Sequence, residues 1–308
     1  MALLYHSGDD PERWRTAFGE CAPGLELRVW PDIGEAADIT AAMVFNPPRG
    51  VLASLPNLKL IISKGFGVDH LFKDPALPRH VPIVRLVDPS AVSQMTQYVV
   101  HATLRYHRRM DEIEESWRRS EWRRVPPPDT GKTVVGVLGL GVLGRNAAEN
   151  LTSLGFSVRG WSRTEKDIPG IACFHGAEGL RPFLGECRIV ICLLALTPET
   201  EGILNAETFA GLPAGAYVIN AGRGGHVIEA DLIAALDSAH LGGATLDVFQ
   251  VEPLESGHPF WRHPKVRITP HIAADGIART AAPIVAENMR RVEAGEPLLN
   301  AVDPARGY

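Results

Sequence analysis

The chain has 308 residues, too many for one comfortable core and about right for two domains of ordinary size. Apolar residues make up 45% and charged residues 22%, the balance of a soluble globular protein, and a net charge of −5 gives no reason to expect nucleic acid or a membrane surface as partner. Four scattered cysteines (Cys21, Cys173, Cys187, Cys192) form no CxxC pair, so neither a metal site nor a disulfide framework is expected; free thiols fit a reducing cytoplasm, and the start Met1-Ala2-Leu3-Leu4-Tyr5-His6 lacks the pattern of a signal peptide.

In the first third, short apolar runs at Leu3–Tyr5, Leu25–Trp30, Ala41–Phe45, Leu58–Ile62 and Ile83–Leu86 read as strands. Helical patterns such as Pro11–Cys21 lie between them, which implies a parallel sheet with crossover helices. A long amphipathic segment, Val92–Trp117, follows and gives way to a basic cluster and to Pro126-Pro127-Pro128, which cannot continue a helix. A second series begins at Thr133, with strands expected at Thr133–Leu138, Phe156–Trp161, Ile189–Leu193, Tyr217–Asn220, Ala244–Val248 and Val266–Thr269. Helical patterns at Leu143–Leu154 and Glu229–His240 separate some of these, and a last long helix is expected at Gly276–Ala294. The fold class is therefore α/β: two Rossmann-like domains with parallel sheets, the active site expected in the cleft between them.

Gly139-Leu140-Gly141-Val142-Leu143-Gly144 is a GxGxxG. The spacing alone is weak, but it follows the apolar strand Val134–Leu138 and opens an apolar-periodic helix, as a dinucleotide fingerprint requires. Gly139 would permit the tight turn, Gly141 the approach of a pyrophosphate, and Gly144 close packing of helix on strand. Val142 and Leu143, in the first helical turn, would present backbone N–H groups to the phosphates. The next strand ends in Ser162-Arg163-Thr164, where an NAD site usually carries a carboxylate for the ribose. A guanidinium and two hydroxyls there suit the 2′-phosphate of NADP(H), so NADPH is the expected cofactor.

Arg223 in Asn220-Ala221-Gly222-Arg223-Gly224-Gly225, Glu252 in Asp247-Val248-Phe249-Gln250-Val251-Glu252-Pro253-Leu254, and His271 in Thr269-Pro270-His271 follow later strands, where open α/β sheets place ligands. Singly, each has an ordinary structural explanation; together, after a dinucleotide fingerprint, they indicate catalysis. Arg223 and Asp247 join the expected cofactor contacts.

The order GxGxxG, NxxRG, Glu-Pro-Leu, Thr-Pro-His resembles the D-isomer-specific 2-hydroxyacid dehydrogenases over essentially the whole chain. Trp161-Ser162-Arg163-Thr164, Asn46-Pro47-Pro48, Gly65-Phe66-Gly67-Val68-Asp69 and the ending Val302-Asp303-Pro304-Ala305-Arg306-Gly307-Tyr308 are similar to the glyoxylate/hydroxypyruvate reductase A group within them. The resemblance implies catalytic Arg223, Glu252 and His271. It also implies a homodimer and a discontinuous substrate domain, residues 1–95 plus 282–308, around a dinucleotide-binding domain, residues 96–281.

The implied reaction is reduction of a small anionic 2-keto acid such as glyoxylate or hydroxypyruvate, in which C2 gains hydride and the keto oxygen gains a proton. His271 would be the acid, with Glu252 holding the ring and favouring its charged form. Arg223 would pair with the substrate carboxylate and polarise the keto oxygen. The turn Lys64-Gly65-Phe66-Gly67-Val68 would add backbone N–H groups for the same carboxylate, and Phe45 would either line the pocket or be plain core. Ser93-Gln94-Met95-Thr96-Gln97 departs from the acidic residue that many members carry in that helix, and Phe45 stands where the nearest group has Trp. Two alternatives remain: an NAD-linked dehydrogenase acting on another 2-hydroxy acid, and a dinucleotide-sensing corepressor of the same fold.

Overall fold

The computed structural model describes residues 2–303. The chain forms two compact units: one takes in the chain up to Ala91 and again from Asp275, the other is Val92–Ala274.

The first unit opens with β1 (Ala2–His6), α1 (Pro11–Cys21), β2 (Glu26–Val29), β3 (Ile39–Val44), β4 (Leu60–Ser63), α2 (Asp69–Phe72) and β5 (Ile83–Arg85). The strands pair in the order β2-β1-β3-β4-β5, all parallel. α1 begins where Asp10 accepts a hydrogen bond from Glu12 N and Pro11 occupies the first turn, the start the sequence signalled. Its Trp14, Ala17 and Phe18 are buried.

α3 (Pro89–His107) carries the chain into the second unit, followed by α4 (Met110–Arg118). The single amphipathic segment expected over Val92–Trp117 is thus two helices, because Arg109 adopts a left-handed backbone (φ 54°) between them. There follow β6 (Val134–Leu138), α5 (Val142–Ser153), β7 (Ser157–Ser162), β8 (Ala172–His175), α6 (Gly176–Leu184), β9 (Ile189–Cys192), α7 (Ala206–Ala210), β10 (Ala216–Asn220), α8 (Glu229–Asp237), β11 (Leu241–Leu246) and β12 (Val266–Ile268). The second sheet runs β12-β11-β10-β9-β6-β7-β8, again all parallel, so the strand order reverses direction between β6 and β9. That reversal is where doubly wound sheets take ligands. The sequence reading missed β8: this edge strand is only partly buried, so its apolar signal is weak. The chain closes with α9 (Ala278–Ala294), two residues shorter at its start than the pattern suggested.

The unit boundaries fall a few residues before those expected at 95/96 and 281/282, and packing explains both shifts. Met95, Val99, Ala102 and Tyr106 of α3 lie in one core with Val135, Val137 and Leu151 of the second unit. Ala281, Ala282, Val285 and Met289 of α9 lie with Trp14 and Phe18 of the first. A boundary at 281/282 would cut α9 inside its buried face. Val302 N donates to Ile83 O, so the end of the described chain lies along β5. Residues 304–308 of the motif noted at the carboxyl end lie outside the described residues.

Gly136 lies mid-strand in β6, against the inner face of α6. A Cβ there would come within 2.6 Å of Cys187 Sγ and 2.7 Å of Phe183 Cζ, both fully buried. The aromatic ring occupies the volume a side chain would need, so overpacking is the expected penalty. Gly136→Ala should destabilise the second unit by about 1–3 kcal/mol. Urea denaturation followed by far-UV circular dichroism checks this; an unchanged midpoint would mean that the core around Phe183 has room to give.

Candidate active site

The fingerprint glycines meet distinct steric demands. Gly139 has φ 99°, and a Cβ on it would lie 2.7 Å from Leu193 O. A Cβ on Gly144 would lie 1.7 Å from Gly139 O, so the first turn of α5 packs directly on the β6–α5 turn. Around Gly141 nothing lies within 4 Å of that position. Gly141 caps α5 without any side-chain hydrogen bond, so the N–H groups of the first turn, Val142 and Leu143 included, are not closed off by a capping side chain. An open approach, uncapped donors and the positive end of a 12-residue helix fit a dinucleotide pyrophosphate.

At the end of β7, Ser162 is buried and its hydroxyl donates to Thr164 O at 2.8 Å. It shapes the turn, while Arg163 and Thr164 are exposed. The positive charge of Arg163 contributes to holding the Glu199 carboxyl below the usual range, behind hydrogen bonds from Thr197 and from the backbone.

Arg223, Glu252 and His271 all belong to the second unit, after β10, β11 and β12. His271 Nδ1 and Glu252 Oε2 are 2.7 Å apart, with the two side chains 34% and 35% exposed. The other carboxylate oxygen of Glu252 accepts from Phe249 N at 2.9 Å, which closes its own turn. Gly224 explains how the Arg223 turn comes so near. A Cβ at 224 would sit 1.8 Å from the carbonyl carbon of Phe249, so only glycine lets these two backbones touch. The Arg223 guanidinium donates from Nη1 to Gly222 O at 2.8 Å.

His271 has φ 55°, a left-handed backbone that a non-glycine residue adopts only when its surroundings impose it. Asp247 imposes it. This fully buried residue accepts the His271 N–H on its backbone oxygen at 2.8 Å. Its carboxylate accepts from Ile272 N and Ala273 N, each at 2.9 Å, and from the Thr269 hydroxyl. Since the Thr269 hydroxyl donates to Asp247, Tyr98 must donate to Thr269, at 2.7 Å. Asp247, expected among the cofactor contacts, is the anchor of the loop that presents the imidazole.

Sequence reasoning named no role for Asn220 or His226. Asn220 Nδ2 donates to Arg223 O at 2.9 Å, and its Oδ1 accepts from Gly222 N at 3.2 Å. His226 Nδ1 accepts from Arg223 N at 3.1 Å. Asn220 had a signal, as the first residue of NxxRG; a histidine three residues after the arginine had none.

The remaining expected residues lie in the first unit. Lys64 N donates to Val44 O, and its ammonium lies 3.1 Å from Asp9 and 3.4 Å from Asp275. Only 9% of the Lys64 side chain is exposed, so this lysine is committed to two carboxylates. Burial pushes the Asp9 carboxyl up, but hydrogen bonds from Tyr5, Ser7 and Trp14 and the charge of Lys64 prevail and bring it down to about 2. Ser63 Oγ donates to Gly67 O at 2.7 Å, which folds the turn Lys64–Val68 on itself with Gly65 and Phe66 at its apex. Phe45 follows β3, its N–H on His6 O at 2.8 Å and its ring 4.9 Å from the His70 ring, neither fully buried nor exposed. Met95 is plain core. Among the described residues no helix is long and apolar enough to cross a membrane.

A doubly wound sheet, an open glycine turn at its reversal, and an Arg–Glu–His set at its carboxyl end define a nucleotide-binding oxidoreductase. The family description "D-isomer specific 2-hydroxyacid dehydrogenase, NAD binding domain" matches residues 100–273. Glyoxylate/hydroxypyruvate reductase A of Serratia proteamaculans is 42% identical over 311 residues, 99% of either chain. Among solved structures, a D-isomer-specific 2-hydroxyacid dehydrogenase from Xanthobacter autotrophicus in complex with NADPH and MES superimposes with TM-score 0.96 at 48% identity, covering 100% of this chain and 99% of that one. An NADPH-dependent glyoxylate/hydroxypyruvate reductase from Sinorhizobium meliloti in complex with NADP and sulfate gives 0.94 at 38% identity, with the same coverage. The chain belongs to the D-isomer-specific 2-hydroxyacid dehydrogenases.

Burial acts to raise the Glu252 carboxyl, but the hydrogen bonds from His271 and Phe249 N–H and the charges of His271 and Arg223 outweigh it, leaving it below the usual range. A carboxyl depressed in the folded state contributes stability above the unfolded pKa and loses it as pH falls through the folded value. The melting temperature of the unmodified protein should exceed that of Glu252→Gln at neutral pH, and the gap should close as pH falls from about 5 to about 3. A gap that stays constant over that range would show that the charge of Glu252 does not hold the loop.

Proposed function

We propose that this enzyme reduces small anionic 2-keto acids, glyoxylate and hydroxypyruvate among them, to 2-hydroxy acids with NADPH, and that His271 delivers the proton. The observation that carries the reading is the 2.7 Å contact of His271 Nδ1 with Glu252, beside Arg223 and in the unit that carries the open glycine turn. Gly139, Gly141, Val142, Leu143 and Gly144 would hold the pyrophosphate, and Arg163 and Thr164 the 2′-phosphate, with Ser162 supporting their turn. The solved relatives bound to NADPH and NADP support that cofactor.

When bound, the reduced nicotinamide supplies hydride to C2 of the keto acid. The rest is the work of side chains. Nδ1 of His271 is held by Glu252, so Nε2 is the ring atom that passes a proton to the keto oxygen. Glu252 fixes the ring plane and balances the imidazolium. Arg223 offers its planar fork to the substrate carboxylate and to the growing negative charge on the keto oxygen. Its anchor on Gly222 O limits the directions in which the fork can point.

The cofactor assignment is tested by steady-state reduction of glyoxylate with each nicotinamide cofactor. NADPH should be preferred, and Arg163→Asp should weaken NADPH binding by about 1.5–3 kcal/mol, the range for hydrogen bonds to charged groups. Equal efficiency with both cofactors in the unmodified protein would refute it. The proton-donor assignment predicts that His271→Ala lowers the reduction rate by roughly 10²–10⁴-fold while NADPH affinity, read from cofactor fluorescence, stays the same. A rate within a few-fold of the unmodified protein would remove His271 from the mechanism.

A further inference from the structure

We infer that His226 is a positioning residue for substrate binding: held as its neutral Nε2–H tautomer, it fixes the backbone of Arg223 and so aims the guanidinium. The inference deepens the proposed function and rests on its assignment of Arg223 to the substrate carboxylate.

His226 is fully buried in the turn after β10. One ring nitrogen, Nδ1, lies 3.1 Å from the N–H of Arg223. The other, Nε2, lies 3.3 Å from the carbonyl oxygen of Ala195, in the loop after β9. A backbone N–H can only donate and a carbonyl can only accept, so the two partners dictate the proton position: Nδ1 bare, Nε2 protonated. A second proton on Nδ1 would face the Arg223 N–H, and the opposite tautomer would lose both bonds. The ring is also packed tightly on the turn it serves. A Cβ on Gly222 would lie 3.1 Å from its Cε1 and Nδ1.

Asn220 completes the arrangement from the other side. It donates to Arg223 O and accepts from Gly222 N. Both backbone polar groups of Arg223 are thus held by buried side chains, one from β10 and one from the turn itself. His226 adds what Asn220 cannot, a tie to the neighbouring loop at Ala195. Removing the imidazole leaves the part-buried Arg223 N–H without its acceptor and breaks the tie to the Ala195 carbonyl, which keeps only the Thr200 hydroxyl, so the Arg223 turn must shift to find a new acceptor. A displacement of about 1 Å in a substrate-orienting group is enough to lose much of its effect.

The test uses the purified full-length enzyme and oxalate as probe, a dianion that presents a carboxylate in the plane of a 2-keto acid. His226→Leu keeps an apolar volume but has no acceptor; His226→Gln supplies one acceptor and one donor on a planar group. His226→Leu should raise the inhibition constant of oxalate and the KM for glyoxylate by roughly 5- to 100-fold. NADPH affinity should stay within twofold of the unmodified protein, and His226→Gln should recover most of the loss. Unchanged oxalate affinity in His226→Leu, or equal loss of oxalate and NADPH binding in both variants, would overturn the inference. Arg223→Lys separates it from the reading beneath. If Arg223→Lys weakens oxalate and His226→Leu does not, only the positioning role is lost; if Arg223→Lys binds oxalate normally, the carboxylate assignment and this inference fall together. Should His226→Leu fail to fold, the unmodified protein still decides: nitrogen NMR shifts of His226 must report a bare Nδ1 and a protonated Nε2, and the reverse tautomer would overturn the proposal.

Discussion

The buried carboxylate of Asp247 is the interaction on which the candidate site depends. It lies just past β11, where its backbone N–H still donates to Asn220 O, and it gathers the loop that follows β12. Two successive backbone N–H groups and a hydroxyl converge on its two oxygens. A buried carboxylate is costly unless such donors surround it, and here the donors belong to the very segment that must be bent. The left-handed backbone at His271 is the outcome. The strain of that residue is offset locally, by hydrogen bonds that an extended loop could not make.

A second constraint is steric. The candidate residues Arg223, Glu252 and His271 come from three strand ends, and three β-strand ends cannot converge unless their loops touch. Gly224 lets the Arg223 turn lie against the Phe249 carbonyl, and the Phe249 N–H in turn donates to the Glu252 carboxylate. Arg223 and Glu252 are therefore linked through backbone contact before their charges are considered. The same logic operates at the nucleotide end, where Gly139 and Gly144 bring α5 onto β6 and leave the space over Gly141 open.

Much of this was legible in the residues. The alternation of apolar runs and helical patterns gave two parallel α/β units, since strands of a doubly wound sheet are buried on both faces and read as continuous apolar stretches. The glycine turn was legible because its spacing answers to backbone sterics. Arg223, Glu252 and His271 stood out as polar residues directly after apolar strands. What escaped has physical reasons too. β8 is an edge strand with little to bury. The break at Arg109 is a single backbone angle in a residue with no local preference for it. Lys64 entered the reading only through the backbone of its turn; the enclosure of its ammonium by Asp9 and Asp275 escaped because both lie far from it in sequence. The tie of His226 to Ala195 and the anchoring role of Asp247 escaped because those partners lie in other loops, and pairing across loops leaves no periodic trace.

The polar residues around the site divide by burial, and the division follows from what each must do. Asn220, His226 and Asp247 are fully buried, and each is surrounded by fixed backbone partners. Removed from water, such bonds are strong and specific in direction, which suits groups that must hold geometry and never exchange a proton with substrate. Glu252 and His271 stay about one-third exposed. A group that passes a proton on each turnover must be reprotonated afterwards, so it needs a route to solvent that full burial would close. Its own position is then too weakly determined by packing, and the buried residues must supply the precision. Fixed geometry and proton exchange thus demand opposite environments, and the fold suits both by placing the buried anchors beneath the partly exposed pair to which we assign the proton transfer.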